Sequence, residues 1–309
     1  MSDPRRDIDC RKVMPRGVEW GTLLLILLCY GLWLLVLLLL PEVSLGLTVL
    51  CLGGLAALHS SLTHEALHGH PFRSRLLNEA LLFLPLTLFI PYGRFRDTHL
   101  AHHQDERLTD PYDDPESNFQ DPAVWAQMPG WRRRLMRVNN TLLGRVVLGP
   151  LLGQICFMAE DWHLVRMGDR GVLRDWVLHA LGVGLVFSIA IATPTPLWAL
   201  CLGAYIGLAL VKIRTFLEHR AHQDCHSRTV VIEDRGPLAW LFLNNNLHIV
   251  HHLHPGVPWY ALPKLYQANR DSYLEANQGY SYRSYTEVFA RYLLRSKDPV
   301  PHPLWSSKE

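Results

Sequence analysis

At 309 residues the chain has room for one large domain or two small ones, and 49% of it is hydrophobic against 19% charged, a balance short of charge for a soluble chain. A net charge of +2 argues against a nucleic-acid partner. Six cysteines with no Cys-x-x-Cys pair argue against a disulfide framework or a zinc knuckle, which leaves the 17 histidines as the feature to explain.

In chain order, a basic leader (Arg5, Arg6, Arg11, Lys12, Arg16) precedes an uncharged run over about 20–40, long enough to cross the roughly 30 Å hydrocarbon core of a bilayer. It is too long, and lacks the small-residue cleavage site, for a secretory signal. "PEVS" turns the chain and a second span returns over about 45–62. "HEALHGH" follows at 64–70, then "LLNEALLFLPLTLFIPYGRFR" at 76–96. The uncharged core of that stretch, Ala80 to Tyr92, contains Pro85 and is too short to span, so it is expected to dip into or lie along the cytoplasmic leaflet and return. "THLAHHQD" occupies 98–105 and an acidic run (Asp110, Asp113, Asp114, Glu116) comes next. The stretch at 131–162 starts with arginines and turns apolar, the pattern of a helix at the headgroup level. A second hairpin runs over about 176–192, turns at "TPTP" and comes back over 197–210. "NNLHIVHHLHP" fills 245–255, and a soluble tail begins near 260.

The expected fold class is therefore an all-α integral membrane protein, a single membrane-bound domain over 1–309. Four transmembrane helices form two hairpins, with interfacial helices and a cytoplasmic histidine-rich cap. Lys and Arg flank the outer ends of the spans, including Arg73, Arg75, Arg94 and Arg96, and are absent from both hairpin turns. Such a distribution puts both termini and all three histidine clusters in the cytoplasm.

Helical spacing stacks His64 on His68, His99 on His102 and His103, and His248 on His251 and His252, so each box is expected to offer its imidazoles in one direction. Imidazole suits iron, zinc and copper, and eight such donors exceed the needs of one ion. Ionisable groups clustered at membrane depth point to function. Glu65 reads either as a carboxylate ligand or as a hydrogen-bond partner of a box histidine, and the acidic run reads as a solvated loop, a partner dock or a brace for the second box. His59, His70, His163 and His179 fall off the box faces and are read as non-ligands. Asn244, Asn245 and Asn246 read as a turn or cap, or as holding a metal through water.

"HEALH", then "HLAHH", then "HIVHH" after two intervening spans resembles the membrane-bound fatty acid desaturase superfamily, whose relatives include carotenoid ketolases and hydroxylases. The resemblance covers roughly Trp20 to Pro263. It implies a non-haem di-iron centre that activates O2 and removes hydrogen from an unactivated C–H bond. It also implies an external, ferredoxin-type electron donor, because no electron-transfer domain of the chain's own can be read from the sequence. The implied iron ligands are His64, His68, His99, His102, His103, His248, His251 and His252. A ninth is expected in "FLEHRAH", His219 being favoured over His222 on the view that it continues the helix emerging from the membrane. The expected activity is introduction of a double bond into the fatty acyl chain of a lipid, in the cell membrane. Hydroxylation or ketolation of a carotenoid or other long apolar substrate is the alternative. A metal-binding or transport protein would put polar groups along its spans, which are almost wholly apolar, and a zinc-dependent lipid hydrolase would need fewer histidines.

Overall fold

The computed structural model describes Cys10, Val13, Met14 and residues 17–305. The basic residues Arg5, Arg6, Arg11, Lys12 and Arg16, on which the expected orientation partly rests, lie outside the described residues. The chain is mostly helical, and it divides into two compact units. One is drawn from Pro15–Asp97 and Pro150–Val211, the other from Met1–Met14, Thr98–Gly149 and Lys212–Glu309. Neither unit is contiguous in sequence, so no single cut in the chain separates them.

Five described helices are long and apolar enough to cross a membrane, by length and composition: α1 (Trp20–Leu39), α2 (Leu45–Leu67) and the helices Leu142–Arg166, Arg170–Ile191 and Leu197–Thr215. The four expected spans are among them. The fifth, Leu142–Arg166, falls in the stretch read above as interfacial, and is one continuous helix of 25 residues.

In the first unit α1 is apolar all round. It buries one stripe, Ile26, Cys29, Trp33 and Leu37, and leaves Leu24, Leu27, Leu28 and Leu35 exposed, as a helix facing lipid on its other sides should. Ser44 caps α2, its hydroxyl accepting from the Leu47 amide at 3.3 Å. Glycine allows α2 to approach Leu197–Thr215 closely. A Cβ on Gly203 would lie 2.6 Å from Leu52 Cβ, and one on Gly207 2.6 Å from Ala56 Cβ, the small-residue packing that lipid-embedded helices favour.

After α3 (Arg75–Leu81), residues 82–91 leave the helix, as the proline and short length of the stretch lead one to expect. Non-helical backbone at membrane depth must find partners within the protein. The Leu84 carbonyl accepts from Tyr30 Oη at 3.2 Å, that of Leu88 from His179 Nε2 at 3.0 Å, and that of Phe89 from Gln154 Nε2 at 2.7 Å. Polar side chains on apolar helices thus satisfy this non-helical segment, which explains His179. His59 is used in a related way, 3.0 Å from Tyr30 Oη, while His70 pairs with the Glu19 carboxylate and His163 is exposed. α4 (Tyr92–His102) then carries most of the second box.

The other unit contains α5 (Pro122–Gln127) and α6 (Gly130–Asn139). The three long helices Leu142–Arg166, Arg170–Ile191 and Leu197–Thr215 are α7, α8 and α9. Beyond α9 come a short parallel sheet, β1 (Val231–Ile232) with β2 (Ser281–Tyr282), and helices α10 (Pro237–Leu241), α11 (His248–Leu253), α12 (Leu262–Ala268), α13 (Arg270–Ala276) and α14 (Tyr285–Tyr292). A core of Val231, Ile249, Val250, Leu253, Leu262 and Tyr273 backs α11. Ile249, Val250 and Leu253 point into this core, so the same short helix turns His248, His251 and His252 the other way.

Candidate metal centre

The third box enters α11 through three asparagines, and each has its own task. Asn244, at φ +58°, donates from Nδ2 to the Trp259 carbonyl at 3.0 Å. Asn246 Nδ2 donates to the Ile232 carbonyl at 2.6 Å, which ties the turn to β1. Asn245 Oδ1 lies 3.1 Å from His248 Nδ1 and accepts its proton.

Within this unit the imidazoles gather in two groups. His102, His219, His248 and His252 form one, and His99, His103 and His251 lie together in the other, ligand atoms within each being no more than 4.8 Å apart. His102 Nε2 is 2.9 Å from His219 Nε2, which is 3.0 Å from His248 Nε2. In the second group His103 Nε2 is 3.0 Å from His99 Nε2 and 3.1 Å from His251 Nε2. His64 and His68 sit at the end of α2 in the first unit, ring centroids 5.1 Å apart.

Boxes two and three do not offer their histidines in one direction. Each is divided between the two groups. Positions i and i+4 lie about 40° apart around a helix, whereas i+3 falls about 60° to the other side of i. His99 and His103 accordingly face one group and His102 the next. In α11, His248 and His252 pair at i and i+4, and His251 faces away.

His219 joins the first group by a route different from the one expected. α9 ends at Thr215, and His219 lies in extended chain, bridged antiparallel to Thr229. The Leu217 carbonyl accepts from Tyr280 Oη at 2.7 Å and that of Glu218 from the Val230 amide at 3.1 Å. Tertiary partners, in place of a continuing helix, hold this backbone. His222 belongs to neither group and engages the Asp224 backbone.

Carboxylates orient the second box. Asp114 Oδ1 accepts from His102 Nδ1 at 2.7 Å and Glu116 Oε1 from His99 Nδ1 at 2.9 Å. Burial opposes charge on His102, yet Glu116 and Asp114 outweigh it and lift that imidazole to about 9. Burial, reinforced by neighbouring imidazoles, holds His219, His248 and His252 well below the usual histidine range. Those three rings are neutral at pH 7, the form that binds metal. Glu218 is buried, paired with Arg214 at 2.9 Å, and stands 3.7 Å from His248 Nδ1. Of the readings open for the acidic run, Asp114 and Glu116 take that of a brace for the second box; nothing in the sequence pattern singles out Glu218 or Arg214 beside the third box.

The donor set fits a cation. With Asn245 on His248 Nδ1–H, that neutral ring turns its Nε2 lone pair toward His219 Nε2, which also faces His102 Nε2. One nitrogen carries at most one proton, so neutral rings leave lone pairs converging on the same space. A bound ion relieves that convergence. Apolar helices of spanning length and buried, histidine-rich donor groups are the features of a membrane protein that could hold metal.

Residues 33–284 match the family model described as fatty acid desaturase. The chain belongs to this family, and with it to the desaturase and oxygenase type of membrane enzyme, an oxygen-dependent oxidoreductase acting on an apolar substrate. It is 28% identical over 235 residues to a beta-carotene ketolase of Paracoccus sp. (strain PC1), which covers 71% of this chain and 78% of that one. It is 26% identical over 212 residues to a beta-carotene ketolase of Paracoccus sp. (strain N81106 / MBIC 01143), covering 65% and 71%.

Proposed function

We propose that the chain holds two iron ions and uses O2 to introduce a double bond into the acyl chain of a membrane lipid. His102, His219, His248 and His252 hold one iron. His99, His103 and His251 hold the other, and His64 and His68 of the first box are further iron ligands, as the resemblance to the family implies. The observation that carries the reading is the convergence of His102, His219 and His248 nitrogens at 2.9–3.0 Å in a chain whose family works on apolar substrates. Bound iron supplies the activation of O2 and the oxidising power for C–H cleavage. The protein's own residues orient the imidazoles through Asp114, Glu116 and Asn245 and keep three of them neutral by burial. Electrons come from a separate, ferredoxin-type donor.

A second reading, oxygenation of a carotenoid or another long apolar substrate, is favoured by the two relatives named as ketolases. Lipid and pigment profiles of a host expressing the chain separate the two. A new double bond with no oxygen gained supports desaturation, and a ketolated or hydroxylated pigment with unchanged fatty acids overturns it in favour of the second reading. Metal analysis tests the centre itself, with about two irons expected per chain for donor sets of this size.

The reading also places the protein in the cell membrane with four crossings and both termini in the cytoplasm. His102 and His219 lie within hydrogen-bonding distance in one unit, which supports an even number of crossings between them along the chain. α8 and α9 supply two, so α7 then stays on one side.

A further inference from the structure

The family match ends at residue 284, yet the chain beyond it is laced to the residues that hold the second box. The Leu143 amide donates to the Leu293 carbonyl at 3.0 Å, and Thr141 pairs with Ser296 in an antiparallel bridge. Asn140 Nδ2 donates to the Asp298 carbonyl at 2.6 Å. The Gln120 amide donates to the Val300 carbonyl at 2.9 Å, and the His302 amide returns to the Gln120 carbonyl at 2.8 Å. His302 Nε2 is hydrogen bonded to the Thr109 hydroxyl at 3.2 Å.

Two of these anchor points, Thr109 and Gln120, are the ends of the acidic loop. Between Thr109 and Gln120 lie Asp114, whose Oδ2 accepts from the Thr109 amide at 2.8 Å, and Glu116. They are the two carboxylates on His102 and His99. Midway along the strap Lys297 turns inward with its side chain only 10% exposed. Its ammonium donates to the His219 carbonyl and lies 3.2 Å from Tyr280 Oη, whose own hydroxyl holds the Leu217 carbonyl at 2.7 Å. His219 has no helix to fix its backbone, so a buried ammonium on its carbonyl is a strong, charge-assisted restraint. Burying that charge is costly unless it is satisfied.

We propose that Leu293–His302 is a positioning strap for the metal centre. Lys297 is the positioning residue for His219, and the Thr109 and Gln120 contacts set the loop that carries Asp114 and Glu116. The inference rests on the ligand set proposed above.

The test uses the full-length chain in detergent, stripped of metal and titrated with Co2+, whose visible absorption reports ligand geometry. Wild type is expected to take up about two ions. Lys297→Met is expected to melt within a few degrees of wild type in the metal-free state, to bind one of the ions about tenfold or more weakly, and to shift its absorption bands. A purely structural tail would lower the melting temperature and leave affinity and bands alone. That result overturns the proposal. Hydrogen exchange on wild type covers the case in which the variant does not fold. Ion binding and strap order strengthen each other reciprocally, so Co2+ is expected to slow exchange of the Gln120 and His302 amides by about tenfold. Unchanged exchange on loading refutes the strap. Failure of wild type to take up any ion refutes the ligand set, and the strap with it.

Discussion

An imidazole binds a metal through a lone pair, so the group on its other nitrogen decides what it offers. His102 has Asp114 at 2.7 Å on Nδ1. Asp114→Asn keeps the shape but removes the charge, and is expected to weaken metal binding by about 10–100-fold. Metal titration checks this, and unaltered affinity would remove Asp114 from the centre. The neighbouring histidines give a sharper contrast. His219→Ala is expected to lose iron and activity together, whereas His222→Ala and His254→Ala, outside both groups, keep most of both. Iron content and turnover on the three purified variants decide. A His222→Ala protein that loses its iron while His219→Ala retains it transfers the role to His222.

The non-helical segment at 82–91 is held by single side chains on apolar helices. Removing one strands a carbonyl where no water reaches it. His179→Ala, which frees the Leu88 carbonyl, is expected to cost about 1–3 kcal/mol, while alanine at the exposed His163 costs almost nothing. Thermal melting in detergent compares them, and equal melting temperatures would show that the segment does not depend on His179. At the surface of the other unit Glu233 accepts from Arg270 and Tyr266, and the Arg270 hydrogen bonds hold its carboxyl below the usual range against the opposing effect of burial. A depressed carboxylate stabilises above its unfolded pKa of about 4.3 and stops doing so as pH falls through its folded value. Glu233→Gln should therefore melt below wild type at pH 7, and the gap should close in acid. A gap that does not narrow as the pH falls contradicts the assignment.

On the scale of the whole molecule the number of crossings follows from which histidines share a side. With four crossings, reporters fused near Arg5 and after Ser307, both beyond the described residues, read cytoplasmic, as does one in the 167–169 turn between α7 and α8. One at Thr195 reads outside. If α7 crossed as well, the reporter in that turn and the one at the C-terminus would both read outside, and His102 would be stranded across the membrane from His219. Glycosylation or phosphatase reporters measure this directly.

Local periodicity settles what depends on neighbours within about a turn of chain. The apolar runs, the break at Pro85, the two hairpin turns and the i, i+3, i+4 spacing of the boxes are all such features, and the helices at Trp20–Leu39, Leu45–Leu67, Arg170–Ile191 and Leu197–Thr215 follow them. The order of the boxes was enough to show the resemblance to the family. The division of boxes two and three between two groups depends on where facing helices lie, and spacing alone cannot report that. His219 marks the boundary most clearly. The resemblance drew attention to its segment and a continuing helix ranked it over His222, but the helix stops at Thr215, and what brings the ring to His102 and His248 is extended chain held by Tyr280, Val230 and Lys297. Asp114 reaches His102 across 12 residues of chain and Lys297 reaches His219 across 78, through hydrogen bonds and charge. Such contacts have no period, and only the tertiary structure could assign them.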